Sequence, residues 1–407
     1  MKILVINTGS SSIKYELFDM DRHQVIAQGL AEKIGEPSSH LTHKKGDSNG
    51  RFIKTESVDR IKDHHDGLIR IVDLLIHPSQ GAIEDKSEIT AVGHRVVHGG
   101  ETFHSPTIID ENVIDAIKEN IPLAPLHNPP NLEGIEVARR IFPDSPQVAV
   151  FDTAFHQTIP KRAFMYALPF ELYEKEKVRR YGFHGTSHAY VAEKASDFLD
   201  RDLERLSLIT IHLGNGASMA AIKNGKCIDT TMGMTPLEGL VMGTRSGDVD
   251  PAIPFFLADH LGMSLREIDS LLNKESGLKG ICETNDMREV IEKKESGDDR
   301  AEIALDIYTY RIKKYIGAYY AALERLDAIV FTAGIGENSP EIRRRCCQNL
   351  EKFGIEIDPM RNTQTGDGIR EIGTTGREIR ILVVPTNEEL KIALETQKVI
   401  EEAGRKP

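Results

Sequence analysis

The chain has 407 residues, and its 51 Lys and Arg residues against 63 Asp and Glu residues give a formal net charge of −12. Its length predicts two or three domains, and its composition, 40% hydrophobic and 28% charged, is typical of a soluble globular protein. The acidic balance argues against a nucleic acid partner, which needs a basic face, and no apolar run reaches the roughly 18 residues that span a membrane.

The N-terminus and the cysteines both favour the cytoplasm. The apolar run at residues 3–6 is too short for a secretory signal. The cysteines have no CxxC spacing, and a bridge between the adjacent Cys346 and Cys347 would be strained. We therefore expect free thiols in a reducing compartment at Cys227, Cys282, Cys346 and Cys347.

The first thirty residues predict a meander of three strands. Residues 2–6 form a compact apolar run, residues 8–12 supply turn residues, and strands are predicted over 13–18 and 24–31.

Three further segments before the middle of the chain have distinct patterns. Residues 37–50 are rich in Ser, His, Lys and Gly and predict an exposed loop, and apolar spacing predicts a helix over 67–77. The prolines between residues 122 and 130 argue against a helix there.

The order of elements over residues 206–231 repeats the order over residues 3–29. In both segments a strand runs into small turn residues, Gly9–Ser11 in the first and Gly214–Gly216 in the second, before a second strand. Asn224 and Gly225 are then a strong hairpin signal. The recurrence indicates two halves of like fold, although a single match of this length can also arise by chance.

The rest of the chain alternates helices with strands. A long helix is predicted over 301–326, and strands over 328–331 and 381–384 run into the polar or glycine-rich segments 334–338 and 385–388. A chain of this kind is α/β, and its ligands bind where strands end.

Three glycine-containing turns, at residues 9–11, 214–216 and 334–338, are candidate phosphate contacts. Glycine lets backbone N–H groups approach an anion, and Lys14 lies close enough to the first turn to reach a phosphate there. None fits the P-loop or the dinucleotide fingerprint, so ordinary hairpin turns are the alternative.

Several charged or polar residues lie at predicted strand ends or in loops of small residues. Arg95, between apolar residues, is either in a structural ion pair or a ligand clamp, and Arg245, in a small-residue loop, either grips an anion or is solvated. Asp152 at a strand end and His184 between glycines are active-site candidates, or else an ordinary turn residue and an ordinary hydrogen-bonded histidine. Zinc at His184 and His188 is disfavoured, because no third ligand is suitably spaced.

These residues lie in long motifs, and the chain resembles the acetokinase family, within the actin-like sugar-kinase fold. The resemblance rests on eight segments in the expected order: ILVINTGSSSIK, VGHRVVHGG, FDTAFH, YGFHGTSH, HLGNG, TPLEGLVMGTRSGDVDP, FTAGIGENS and PTNEE. It covers nearly the whole chain.

The resemblance implies an α/β fold with two duplicated actin-like (ribonuclease H-like) domains, each a mixed sheet flanked by helices, and a cleft between them. We expect an N-terminal domain over 1–150, on which the closing helix 388–402 packs. A connecting segment over 151–199 would carry active-site residues, and a nucleotide-binding domain would span 200–387. The family also implies a homodimer.

The implied activity is reversible, direct in-line transfer of the ATP γ-phosphoryl group to acetate, which gives acetyl phosphate and ADP. It requires Mg²⁺, for which Mn²⁺ can substitute. Alternatives are a propionate or butyrate kinase, a pyrophosphate-using relative, or a non-catalytic actin-like protein in which the nucleotide only gates conformation.

The resemblance also implies the site residues, here by position in this sequence. The catalytic residues are Asp152, His184 and Arg245. Arg95 binds the acetate carboxylate, and the methyl pocket is formed by Val97, Leu126, Phe183 and Pro236. The nucleotide is held by Lys14, His212, Leu213, Gly214, Asn215, Gly216, Asp286, Met287, Arg288, Gly334, Ile335, Gly336, Glu337 and Asn338. The magnesium ligands are Asn7 and Glu388. Because acetate is already ionised at pH 7, we expect Asp152 to orient Arg95, Arg245 or a magnesium-bound water rather than act as a base.

Overall fold

A computed structural model describes residues 1–47, 51–125 and 127–405. The chain forms two compact units, the first made of Met1–Ala154 with Asn387–Pro407 and the second of Phe155–Thr386. Among the described residues, no helix has both the length and the apolar character needed to cross a bilayer. All four cysteines are buried and free.

The first unit contains a mixed sheet whose strands have the order β5-β4-β3-β2-β1-β6-β8-β7. Strands β1 to β5 pair antiparallel, whereas β6 is parallel to β1 and β8 is parallel to β6. The strands are β1 (Lys2–Gly9), β2 (Ser12–Asp19), β3 (Gln24–Glu32), β4 (Ser39–Gly46), β5 (Phe52–Asp59), β6 (Ile89–Val96), β7 (Thr107–Ile108) and β8 (Gln147–Phe151).

Helices cover the first sheet, and each begins where a polar or proline residue can occupy its first turn. They are His64–Leu75, Glu111–Glu119, Asn128–Ile141 and the closing helix Glu388–Gly404. The closing helix packs Ile392 and Ala393 against Ile3 and Val5 of β1. It approaches β6 so closely that a Cβ at Gly93 would collide with Thr396. This packing brings the first residue of the closing helix, Glu388, into the first unit.

The second unit contains a mixed sheet of the order β11-β10-β9-β12-β14-β13. Its strands are β9 (Ser207–Leu213), β10 (Ala217–Lys223), β11 (Lys226–Thr230), β12 (Ala328–Thr332), β13 (Arg370–Glu371) and β14 (Arg380–Val383). As in the first sheet, the first three strands form an antiparallel meander. On the other side of its first strand, β9, lies the parallel strand β12, and β14 is parallel to β12. The repeat inferred from the sequence is thus confirmed as a repeat of sheet order.

The helices of the second unit either precede β9 or lie between its later strands. They are Lys161–Phe164, Phe170–Glu176, Gly185–Leu199, Ala252–Leu261, Leu265–Lys274, Gly277–Cys282, Met287–Glu295, Asp299–Leu323, Ala333–Asn338, Pro340–Cys347 and Pro359–Asn362. Short 3₁₀ helices along the chain are Lys86–Glu88, Ile121–Leu123, Ala154–Thr158, Leu203–Arg205 and Glu351–Phe353.

The predicted loop over 37–50 is wrong over residues 39–46, because Ser39–Gly46 forms β4 between β3 and β5. Ser39, Leu41 and His43 alternate inward, and their polar groups are satisfied inside the unit. For example, His43 Nε2 bonds the Gln80 carbonyl at 3.0 Å. Residues 48–50 of that prediction lie outside the described residues.

The prediction that prolines exclude helix over 122–130 is also wrong at both ends. Ile121–Leu123 is a 3₁₀ helix, and the helix Asn128–Ile141 carries Pro129 and Pro130 in its first turn. Backbone N–H groups in a first turn have no partner within the helix, so proline costs little there. Similarly, the segment predicted as a glycine turn at 334–338 forms the short helix Ala333–Asn338.

Candidate active site

In the first unit, an arginine and two acidic residues meet at the ends of β6, β8 and the closing helix. Arg95 Nε donates to Asp152 Oδ2 at 3.0 Å, and its Nη2 donates to the same oxygen. The Glu388 carboxylate is 4.0 Å from Arg95 Nη2. Asp152 is 1% exposed, whereas the Arg95 side chain is 22% exposed. Arg95 therefore lies in an ion pair but retains access to solvent.

The charges in this cluster shift each other's pKa. Burial lowers the pKa of Arg95, but attraction to Asp152 and Glu388 outweighs it and the net shift is upward. Burial raises the pKa of Glu388 to about 7, against the opposing effect of Arg95. One positive charge, on Arg95, thus lies beside two carboxyl groups. The cluster can therefore accommodate a further cation.

Lys14 and Asn7 lie on neighbouring strands, and Lys14 is close to the acids of the closing helix. They are directly paired across β1 and β2, and Lys14 forms an ion pair with Glu389 in the first turn of the closing helix. The Asn7 amide oxygen and the Glu388 carboxylate are the hard oxygen donors that Mg²⁺ prefers, and Mg²⁺ commonly takes only one or two protein carboxylates. No cluster of three or more His, Cys, Asp or Glu suited to a metal occurs within residues 1–47, 51–125 and 127–405. The donor set fits a magnesium ion that is completed by water and phosphate oxygens rather than a closed metal cage.

Two buried asparagines that the sequence did not single out hold the loop after Arg95. Asn131 Oδ1 accepts from Val97 N at 3.0 Å, while its Nδ2 donates to the Thr8 carbonyl at 2.8 Å. Asn128 Oδ1 accepts from His98 N at 3.1 Å. One helix therefore fixes both Val97 and the strand end next to Asn7. Leu126, which precedes this helix, lies outside the described residues.

In the second unit, His184 and Arg245 both face the glycine turn between β9 and β10. A Cβ at Gly216 would lie 3.3 Å from His184 Cε1 and 3.5 Å from Arg245 Nη1. His184 has a left-handed backbone with φ of +56°, and its ring stacks on His212 with centroids 4.2 Å apart. A non-glycine residue in this conformation is strained, and such strain is concentrated at functional sites.

Arg245 is a partly buried cation, and no described residue gives it a compensating negative charge. Its Nη1 donates to the Pro236 carbonyl at 3.2 Å and approaches Met242 Sδ at 3.6 Å. Among the described residues it has no carboxylate partner. Burial accordingly lowers its pKa. Since an unpaired charge that is partly removed from water is costly, this position is suited to an anionic ligand.

The two apolar candidates of the second unit differ in burial, since Phe183 is buried and Pro236 is only partly buried. Phe183 is 2% exposed, and its carbonyl accepts from His156 Nε2 at 2.9 Å. Pro236 contributes the carbonyl that holds Arg245.

Most of the predicted nucleotide residues of the second unit line one cavity of about 660 Å³. This volume is typical of a small-molecule site. The lining residues are Gly214, Asn215, Asn285, Asp286, Met287, Arg288, Ile291, Gly334, Ile335, Asn338 and Ser339. Three lining residues were not predicted from the sequence. Asn285 and Ser339 adjoin predicted segments, and Ile291 lies three residues beyond Arg288.

The remaining nucleotide candidates have other surroundings. His212 and Leu213 are buried at the end of β9. Glu337 Oε1 accepts from Thr386 N at 3.1 Å, and Gly336 is buried. Lys14 belongs to the first unit.

Arg343, which the sequence analysis missed, anchors the helix that forms one side of this cavity. It is 1% exposed and donates to the carbonyls of Gly336 at 2.8 Å and Glu337 at 2.9 Å. Its Nε donates to Asn362 Oδ1 at 2.8 Å. It therefore satisfies carbonyls at the end of Ala333–Asn338 that the short helix leaves unpaired.

Comparison with known proteins gives matches along the whole chain. The sequence model of the Acetokinase family matches residues 2–394. An acetate kinase from Thermotoga maritima is 53% identical over 408 residues, which cover 100% of each chain. An acetate kinase from Nitratidesulfovibrio vulgaris is 53% identical over 98% of this chain and 100% of its own.

Solved structures of an acetate kinase and a propionate kinase also match this chain along nearly its whole length. The crystal structure of Porphyromonas gingivalis acetate kinase has a TM-score of 0.92 at 45% identity and covers 98% of this chain and 99% of its own. A propionate kinase from Francisella tularensis has a TM-score of 0.90 at 43% identity, with the same coverage.

Fold, site and relatives together define the protein as a phosphotransferase, so the alternative of a non-catalytic actin-like protein is set aside. More specifically, the chain belongs to the acetokinase family.

Proposed function

We propose that the protein transfers the γ-phosphoryl group of ATP to acetate, reversibly, to form acetyl phosphate and ADP. The observation that carries this proposal is Arg245, a partly buried cation with no carboxylate partner among the described residues, beside His184 and the Gly216 turn. Phosphoryl transfer requires charge neutralisation and positioning more than covalent help, and a guanidinium can supply the first.

Each side chain of the site has a role in this proposal. Arg95 binds the acetate carboxylate, and the methyl group is assigned to Val97, Leu126, Phe183 and Pro236. Arg245 and His184 stabilise the charge that develops on the transferred group. The cavity lined by Gly214, Asp286 and Gly334, with their neighbours, holds the nucleotide.

Asp152 acts by orienting Arg95 in this account. Acetate is ionised at neutral pH, so the nucleophile has no proton to lose. Asp152 already accepts two hydrogen bonds from Arg95, which fixes the guanidinium for a second anion. Asn7 and Glu388 supply oxygen donors for Mg²⁺ or Mn²⁺, which when bound neutralises phosphate charge.

The experiment that tests the proposal follows ADP release and product together. Purified protein with MgATP should release ADP only when acetate is present, and ³¹P NMR should show one acetyl phosphate per ADP. ADP release that is independent of acetate, with inorganic phosphate as its product, would instead mean an ATPase.

Propionate is the second candidate substrate, because the Francisella tularensis propionate kinase is 43% identical and nearly as similar in structure. One methylene in an apolar pocket changes discrimination by only about 1–3 kcal/mol. We favour acetate because the relatives that are 53% identical are acetate kinases, and because the branched side chain of Val97 favours a small acid.

Replacing Asn131 by alanine should weaken this discrimination. The change leaves the Val97 N–H and the Thr8 carbonyl without their partner, at a cost of about 1–3 kcal/mol. We expect the KM for acetate to rise about tenfold and the acetate-to-propionate ratio of kcat/KM to fall. Asn112→Ala, which removes an exposed hydrogen bond to Asp110, is the matched control. An unchanged ratio in Asn131→Ala would show that Asn131 does not set the position of Val97.

We also propose a cytoplasmic homodimer. The four buried, free cysteines support a reducing compartment. The helix Ala252–Leu261 buries none of its residues, and Phe255 and Phe256 are 71% and 55% exposed. Adjacent exposed aromatics are typical of a protein–protein interface and support a second copy of this chain as the partner.

Phe255→Glu should therefore shift the protein from dimer to monomer. Placing a charge in an apolar interface costs several kcal/mol, so the dissociation constant should rise by about 100-fold or more. Sedimentation velocity over a concentration series measures this shift. Ile53→Glu, at a 61% exposed position in the first unit, is the control and should sediment as the wild type does. A Phe255→Glu protein that remains dimeric would place the interface elsewhere.

A further inference from the structure

A continuous chain of hydrogen bonds leads from the interior of the second unit to His184. Thr210 Oγ1 lies 2.7 Å from His188 Nδ1, and His188 Nε2 lies 2.8 Å from Ser218 Oγ. Ser218 Oγ is in turn 2.9 Å from His184 Nδ1. Thr210, His188 and Ser218 are each 0% exposed, so water does not compete for these bonds.

The donor and acceptor of each hydrogen bond in this chain can be assigned by counting the available protons. Among the described residues, the Thr210 hydroxyl has no partner other than His188, so its proton is satisfied only if it donates to His188 Nδ1. Burial, together with His156 and His212 nearby, lowers the pKa of His188 well below its ordinary value, so its ring is neutral. A neutral imidazole has one N–H, which must then be at Nε2 and donate to Ser218 Oγ.

Ser218 links His188 to His184 in the hydrogen-bond chain. Its oxygen accepts from His188, and within the described part of the chain its only other side-chain partner is His184. The Ser218 proton therefore goes to His184 Nδ1, which must be an unprotonated acceptor. The remaining proton of neutral His184 is consequently at Nε2, 3.5 Å from where a Cβ at Gly216 would lie.

We propose that Thr210, His188 and Ser218 are positioning residues that fix His184 as the Nε2–H tautomer and aim that N–H, as a neutral hydrogen-bond donor, at the transferring phosphoryl group. The part concerning the phosphoryl group rests on the proposed function, whereas the tautomer does not. Arg245, which faces the same turn, then supplies the positive charge, and the Nε2–H of His184 orients the phosphoryl group through a hydrogen bond. The reverse chain would leave the Thr210 proton without an acceptor in a dry interior, at the full cost of an unmade bond.

The tautomer is measured directly in the full-length protein with ¹⁵N-labelled histidine, by correlating ring nitrogens with ring protons. His184→Gln identifies the His184 signals by their loss. The wild type should show an unprotonated Nδ1 and a protonated Nε2 at His184. A proton on Nδ1 of His184 in the wild type would overturn the proposal.

Two variants break the chain at different points. Ser218→Ala removes the donor to His184, and Thr210→Val removes the first donor with little change of shape. Both should give mixed tautomers at His184 and lower kcat by about 10- to 100-fold, with KM values for ATP and the acid within about threefold. Thr309→Val, which removes a buried hydroxyl bonded to the Leu305 carbonyl at 2.8 Å, should leave tautomer and kcat unchanged.

The outcomes separate the two proposals. Variants that keep both the wild-type tautomer and the wild-type kcat would contradict the positioning role. The expected tautomer changes in a protein that phosphorylates no acid would leave the hydrogen-bond chain correct and overturn the proposed function.

Discussion

Replacing Arg245 by alanine is expected to lower kcat by about 1,000-fold, the range found when an arginine that neutralises a transferring phosphoryl group is removed. The expectation follows from the surroundings of the guanidinium, which is partly buried. Among the described residues it is bonded only to a carbonyl and a thioether and has no carboxylate partner. An anion that develops charge in the transition state is therefore its natural partner. Because the interaction strengthens only then, KM for ATP should change by less than about fivefold.

Steady-state kinetics with both substrates varied provide the measurement. Arg245→Lys keeps the charge but loses the planar fork, and should recover part of the lost kcat. Arg266→Ala, at an exposed position on the helix Leu265–Lys274, is the control for loss of a positive charge. A kcat for Arg245→Ala within threefold of the wild type would remove Arg245 from the transition state.

Replacing Arg95 by alanine should chiefly affect the acid substrate. Asp152 and Glu388 would then share a buried site without their cation, and acetate would lose its charged partner. Losing one side of such a pair costs about 3–5 kcal/mol. We expect the KM for acetate to rise at least about 100-fold while the KM for ATP changes by less than about threefold.

The Arg95 series contains its own tests for misfolding. Arg95→Lys keeps a cation beside Asp152 and should fold normally but bind acetate weakly, since it loses the two-nitrogen contact. Arg139→Ala, which breaks an exposed pair with Glu111, should match the wild type. Equal increases in both KM values would mean that Arg95 supports the unit rather than the acetate site.

Prediction from the sequence was correct for strands in which local pattern and burial agree. The strands that open the first unit consist of apolar residues bounded by turn residues, and β1 and β2 lie within three residues of the predicted bounds. It failed at β4, whose inward-facing Ser39 and His43 are polar. Their suitability for the interior depends on partners such as Gln80, which is distant in sequence.

The same distinction applies to the candidate site. Residues at strand ends, such as Arg95 and Asp152, could be selected because parallel neighbours bring their carboxyl ends together. Ser218 and Arg343 could not be selected, because each acts through hydrogen bonds to residues on other elements. Asn131 is another such residue, since it bonds Thr8 across a separation of 123 residues. The pattern of residues within one segment gives no information about hydrogen bonds to residues that are distant in sequence.

The central claim is that acetate is the acid this protein phosphorylates. Acyl phosphate trapped as hydroxamate, with MgATP, hydroxylamine and acetate, propionate or butyrate in parallel, tests it most directly. The highest kcat/KM should be for acetate, with propionate lower and butyrate lowest. A higher kcat/KM for propionate, or no hydroxamate with any acid from protein that binds ATP, would contradict the account.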